Sequence, residues 1–184
     1  MDLQTRYCHA IAEGKFGPHH QQYHDTRYGF PEKDDNALFG RLLMEINQAG
    51  LSWDIVLKKE ESIKAAYANF DIASVANFTE KDIDRLLQNP GIIRMRKKIE
   101  AAIYNAQQLQ LLQKEHGSFA AWIDLQHPQK EGYWVKLFKE KFKFTGKEIT
   151  KEFLMGIGYI KGAHHAGCPI YAKTLKAQPK WLEA

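Results

Sequence analysis

Few cysteines, few prolines and no long apolar run set the first limits on this chain. It has two cysteines in 184 residues, Cys8 and Cys168, near opposite ends. Two thiols cannot build a disulfide scaffold, which excludes the small secreted disulfide-rich class. No stretch reaches the roughly 18–20 consecutive apolar residues of a membrane span, so no membrane partner is expected. The opening "MDLQTRYCHAIAEG" has no apolar core of a signal peptide, and a cytoplasmic, reducing compartment is expected. There is no Walker loop, GxGxxG, HExxH or GxSxG, so phosphoryl-transfer, nicotinamide and hydrolase-triad chemistry lack support. Repeats, low-complexity tracts and long Pro/Ser linkers are also missing, and 184 residues suggest a single domain over residues 1–184, or one domain with a small subdomain.

What is present is ordinary for a soluble globular protein. Hydrophobic residues make up 44% and charged residues 26%, with a formal net charge of +4. That balance permits a nucleic-acid or other anionic partner without requiring one.

The pattern is nearly all helix. Asp34 and Asp35 can cap a helix over about 36–48, ended by Gly50. Ser52 can cap "WDIVLKKEESIKAAYANF", with a break expected near Glu60. Thr79 opens "EKDIDRLLQN", and Asp82 three residues on makes a capping-box pair. Pro90-Gly91 interrupts, and a long helix is expected over "IRMRKKIEAAIYNAQQLQLLQKE", stopped by Gly117. Ser118 can cap "FAAWIDL", and Thr150 can cap "KEFLMGIGYI". No stretch alternates as a strand does. The first 30 residues and those from Pro169 onward show no apolar period, so both ends are expected to be irregular.

Three constellations carry possible chemistry. Glu45 flanks the apolar stripe of Leu38, Leu42, Leu43 and Ile46, just before the "AGLSW" turn. It is either a boundary residue reaching solvent or a carboxylate facing a pocket, where burial would demand a polar or cationic partner. In "LLQNPGIIRMRKKIEAAI", Arg94, Arg96, Lys97 and Lys98 fall at the start of a helix. Cations there oppose the helix macrodipole. The arrangement is explained by a docked phosphate gripped by turn N–H groups and basic side chains, or else by a solvated basic face. Finally, Cys8, His24, His164 and Cys168 can form a closed tetrahedral N2S2 set for structural zinc, with His19, His20 and His165 as competing ligands.

Taken together, these stretches resemble the bacterial 3-methyladenine DNA glycosylase I family. "QAGLSWDIVLKK", "YHDTRYGFP", "GIIRMRKKIEAAIYNA" and "GYIKGAHHAGC" match its motifs in order, from about Cys8 to Cys168. The resemblance implies an all-α helix-hairpin-helix glycosylase fold, with the hairpin over 79–115. It implies irregular ends, 1–30 and 160–184, joined at a structural zinc held by Cys8, His24, His164 and Cys168. It implies base recognition by Glu45, also the catalytic candidate, with Tyr23, Trp53 and Tyr28 as pocket aromatics. Gly50 and Leu51 match the loop that enters the duplex, while Gly91, Arg94, Arg96 and Lys97 match the hairpin's backbone grip. The activity implied is excision of 3-methyladenine from alkylated duplex DNA by a monofunctional monomer, leaving an abasic site.

Two absences agree with that chemistry. Between Gly91 and Trp122 there is no Asp, and Met95 stands where bifunctional relatives carry a lyase lysine. The sequence also departs from the family pattern. Ala10 replaces a usual Trp, Tyr28 replaces the Trp of "EWG", and Ile46-Asn47 replaces a common Gly-Gln pair. The zinc segment also carries Gly162-Ala163 in place of Asn-Asp. These changes motivate an alternative: a damage-binding module on the same scaffold, with altered specificity or no excision.

Overall fold

The computed structural model describes residues 3–183, with side chains from Tyr7 onward. The described residues form helices and turns, with no strand among them. They divide into two compact units, Lys33–Thr150, and Met1–Glu32 with Lys151–Ala184.

The larger unit starts with α3 (Asp35–Gln48), after α1 (Leu3–Ala12) and α2 (Pro18–Thr26) of the other unit. As expected, Asp34 caps α3 by accepting the Ala37 N–H at 2.8 Å. Ser52 likewise caps α4 (Trp53–Lys58). The helical path breaks at Lys59, resumes as α5 (Glu60–Ala66) and ends in a left-handed turn over 68–70. A short α6 (Ile72–Ala76) follows, which the sequence reading lacks because five residues show no period. Its first N–H donates to the Asn36 side chain at 3.0 Å, tying it to α3. A Cβ on Gly40 would collide with the Phe70 ring, so a glycine is what lets α3 approach the left-handed turn.

The capping box of Thr79 and Asp82 opens α7 (Glu80–Gln88), and α8 (Arg96–His116) follows the Pro-Gly turn. The expected start of α8 at Ile93 is too early. Met95 has extended backbone (φ −127°, ψ 108°), which places Arg94 in the turn and not in the helix. Gly117, at φ +85°, closes α8 in the left-handed conformation that glycine adopts without strain. Ser118 caps α9 (Phe119–Gln126), and Asp35 also accepts from the Phe119 and Ala120 N–H groups at 2.8 and 3.1 Å. One carboxylate thus fixes the start of α9 against the start of α3. The next helix, α10 (Glu131–Lys141), was not anticipated: its core stripe is only Trp134 and Phe138. Both are fully buried; Trp134 packs on Phe138, whose ring in turn meets Trp122 and Phe142.

The last long helix, α11 (Lys147–Gly156), begins before Thr150, whose hydroxyl bonds the Thr145 carbonyl at 3.2 Å and caps nothing.

The expectation of irregular ends is incorrect. Both α1 and α2 lie in the first 26 residues, and α12 (Tyr171–Lys176) with a 3-10 turn at Lys180–Glu183 lies near the other end. The physical reason is the makeup of the buried stripe. In α2 it consists of His20, Tyr23 and His24, spaced as a helix requires but too polar to register as apolar. Pro18 at the first position of α2 was the local start signal.

Candidate functional site

In the larger unit, α3 ends at a turn that carries several of the sequence candidates. Glu45 is only 7% exposed on the last full turn of α3, between Met44 and Ile46, both in the core. Ala49 leaves the helix with ψ 114° and Gly50 takes φ +80°, so the chain reverses and presents Leu51 before Trp53 opens α4. The turn bonds to itself. The Leu51 N–H donates to the Gln48 carbonyl at 2.7 Å, and the Gln48 amide donates to the Leu51 carbonyl at 3.2 Å.

The hairpin turn is braced similarly. The Gly91 N–H donates to the Asn89 side chain at 2.8 Å, and Lys59 Nζ donates to the Pro90 carbonyl at 2.8 Å. The four basic residues around the start of α8 have separate fates. Arg96 reaches Glu80, Asp84 and Glu100 at 3.0, 3.4 and 3.5 Å, so its charge is largely answered within the protein. Lys98 is buried, correcting the expectation that it belongs to an anion-facing cluster. Its ammonium donates to the Asn47 and Ala49 carbonyls at 2.8 and 2.7 Å. Burial lowers its pKa below the ordinary lysine value. Arg94 and Lys97 remain exposed, and among the described residues neither meets a carboxylate.

In the smaller unit, Cys8, His24, His164 and Cys168 are all buried, with ligand atoms within 4.8 Å of one another. Cys8 Sγ lies 3.4 Å from His24 Nε2 and 3.7 Å from His164 Nδ1. Cys168 Sγ lies 3.6 and 3.5 Å from the same atoms. A tetrahedral zinc with ordinary Zn–S and Zn–N bonds would separate S and N by about 3.5 Å, so the four residues fit such an ion. The second ring nitrogens are also engaged. His24 Nδ1 meets Asp25 at 2.7 Å, and His164 Nε2 meets the Tyr28 carbonyl at 2.8 Å. Such contacts fix ring orientation and tautomer at metal sites. Sequence reasoning did not single out these orienting groups, although Asp25 adjoins His24 in "YHD".

Two of the competing histidines, His165 and His20, are engaged elsewhere. His165 accepts the Gly167 N–H and lies edge-on to His9, while His20 bonds Tyr7 Oη at 3.0 Å and stacks on Phe16. Burial, and then the neighbouring Cys168, push the Cys8 thiol up to about 12. Burial lowers His164 from 6.5 to about 4. The Cys8 thiol and the His164 ring are therefore neutral at pH 7 in the metal-free fold, and an incoming ion would displace the Cys8 proton.

Tyr23 and Tyr28 also belong to this unit, both buried, with ring centroids 5.6 Å apart. Tyr28 Oη donates to Glu152 at 3.1 Å, and the Arg27 guanidinium lies 5.2 Å from the Tyr23 ring centre.

The methyladenine glycosylase family model matches residues 14–133. The chain belongs to that family. Among curated proteins it is 36% identical over 168 residues to DNA-3-methyladenine glycosylase 1 of Escherichia coli strain K12, covering 81% of this chain and 89% of that protein. It is 35% identical to the DNA-3-methyladenine glycosylase of Haemophilus influenzae, covering 80% and 89%. Its structure is similar to that of 3-methyladenine DNA glycosylase I from Staphylococcus aureus, solved for the structural basis of 3-methyladenine recognition. That similarity has a TM-score of 0.80 at 32% identity, covering 89% of this chain and 97% of that one. No helix among the described residues of this family member is long and apolar enough to cross a membrane.

Proposed function

We propose that this protein is a DNA repair glycosylase that hydrolyses the N-glycosidic bond of 3-methyladenine in alkylated duplex DNA. The single observation that carries this is family membership, with glycosylases named for that base matching most of the chain. Residues 1–184 act as one helix-hairpin-helix glycosylase domain, a monomer of the cytoplasm.

In this reading Glu45 recognises the base. A 3-methylated adenine carries a positive charge and an exocyclic amine donor, and a desolvated carboxylate favours both over neutral adenine. Tyr23, Tyr28 and Trp53 supply aromatic faces for the flipped, cationic base. Leu51, carried by the Gly50 turn, fills the gap left in the stack. The bond from C1′ to the base then breaks with its electron pair leaving on the base, which departs neutral. Water adds to C1′ and gives its proton to solvent. The absence of an Asp between Gly91 and Trp122 fits a leaving group already activated by its charge. Zinc, held by Cys8, His24, His164 and Cys168, supplies folding energy and no open coordination position.

Phosphates are gripped at the hairpin by the Gly91 turn, Arg94 and Lys97, with Arg96 a weaker contributor because three carboxylates already hold it. Arg94→Ala with Lys97→Ala should make the log–log salt dependence of duplex binding shallower by about 2, and Arg96→Ala by clearly less than 1. An equal loss for all three would show that the ion pairs of Arg96 open on DNA. The reading as a whole is tested by chromatography of bases released from methylated duplex DNA. Free 3-methyladenine is the expected product. Duplex binding without release of any base would favour the damage-binding alternative.

A further inference from the structure

Lys98 stands in the first turn of α8, where a cation opposes the helix dipole, yet it is 3% exposed. Its ammonium is turned onto the other end of a different helix. It donates to the carbonyls of Asn47 and Ala49, the last of which has already left α3. Carbonyls at a helix C-terminus lack partners within the helix, and a cation is favoured there by charge as well as by hydrogen bonding. The same few residues are bonded again from within. The Asn47 side chain donates to the Leu43 carbonyl at 2.9 Å, and Gln48 and Leu51 exchange bonds across the turn.

We propose that Lys98 is a positioning residue that locks the Gly50–Leu51 turn to the start of α8, making hairpin and turn one rigid DNA-reading element. The proposal rests on the reading of that turn as the segment entering the duplex. Opening a base stack costs a few kcal/mol, so a turn already held in shape loses less entropy on insertion than a loose one. The clamp also links the two contacts mechanically. A phosphate gripped by Arg94 and Lys97 sets the position of α8, and Lys98 transmits that position to Leu51. Lys98 touches neither base nor phosphate in this scheme.

The test uses the full chain, a duplex with one tetrahydrofuran abasic-site analogue and the same duplex undamaged, at one salt concentration. Lys98→Met keeps most of the aliphatic stem and removes the donors. It should lower the ratio of damaged to undamaged affinity about tenfold, with affinity for the undamaged duplex unchanged. That ratio does not depend on the fraction of protein that is folded. An unchanged ratio, or an equal loss on both duplexes, would overturn the proposal by reducing Lys98 to a structural residue. Should Lys98→Met not fold, Lys98→Gln, too short to reach both carbonyls, carries the same measurement. Leu51→Ala separates the two levels. If it lowers the ratio while the Lys98 variant does not, only the clamp fails. If Leu51→Ala has no effect, the reading of the turn fails and the clamp with it.

Discussion

Glu45→Gln is expected to slow single-turnover release of 3-methyladenine from alkylated duplex DNA by roughly 10- to 100-fold, the equivalent of one charge-assisted hydrogen bond. The substitution is nearly isosteric, so the packing of α3 around Leu42, Leu43 and Ile46 should be kept. The amide can still accept a hydrogen bond from the exocyclic amine. What it cannot do is offset the positive charge of the base, and in a site that excludes water that term is large. Glu45 is 7% exposed, so the thermal midpoint of the variant is measured beside its rate. Slow excision by a protein that is still folded at the assay temperature is the signature of a recognition carboxylate. If release were unchanged, Glu45 would be a boundary residue of the α3 core and the cationic base would be read by another group.

Cys168→Ser should have the largest effect on stability. The wild-type protein is expected to hold about one zinc per chain, and the variant close to none, measured by metal analysis after gel filtration. Losing the ion leaves Cys8, His24 and His164 buried without it, and a fall in thermal midpoint of well over 10 °C should follow, because metal binding at a closed site is folding free energy. Retention of zinc in Cys168→Ser would remove that residue from the ligand set.

The pH dependence follows from the same groups. The Cys8 thiol, held up to about 12, keeps its proton in the metal-free fold, so zinc must displace it and binding weakens as pH falls. His164, held down at about 4 against an ordinary 6.5, is neutral when folded and protonated when unfolded across that window. In the metal-free protein His164 therefore binds more protons unfolded than folded, and its contribution to stability is lost as pH drops from about 6.5 toward 4. A chelator titration monitored by ellipticity at several pH values checks both slopes.

The local signals in the sequence were sufficient for most helix caps and stops, though not for Thr150 or the start of α8. Asp34, Ser52, the Thr79–Asp82 box, Ser118 and Gly117 each act within one turn of where they stand, so reading them needs no knowledge of the rest of the chain. The motif order carried the family for the same reason, since motifs are contiguous. The sequence could also nominate ligands and cations by type. Residue type and spacing could not choose among them, and the set Cys8, His24, His164 and Cys168 came from the motif resemblance alone. Only the fold brought His164, and not its neighbour His165, onto Cys8 and His24, because that choice turns on which face of a loop meets a helix far away in sequence. Only the fold turned Lys98 inward to α3, gave Arg96 to three carboxylates and left Arg94 and Lys97 exposed. The helix α2 was hidden likewise, since a stripe of His20, Tyr23 and His24 becomes core only when the fold supplies partners for its polar atoms. Propensity and capping are local energies and can be read from a string of residues. The partner that a buried charge or a ring nitrogen finds is a property of the tertiary structure, because desolvation and hydrogen bonding depend on everything packed around it.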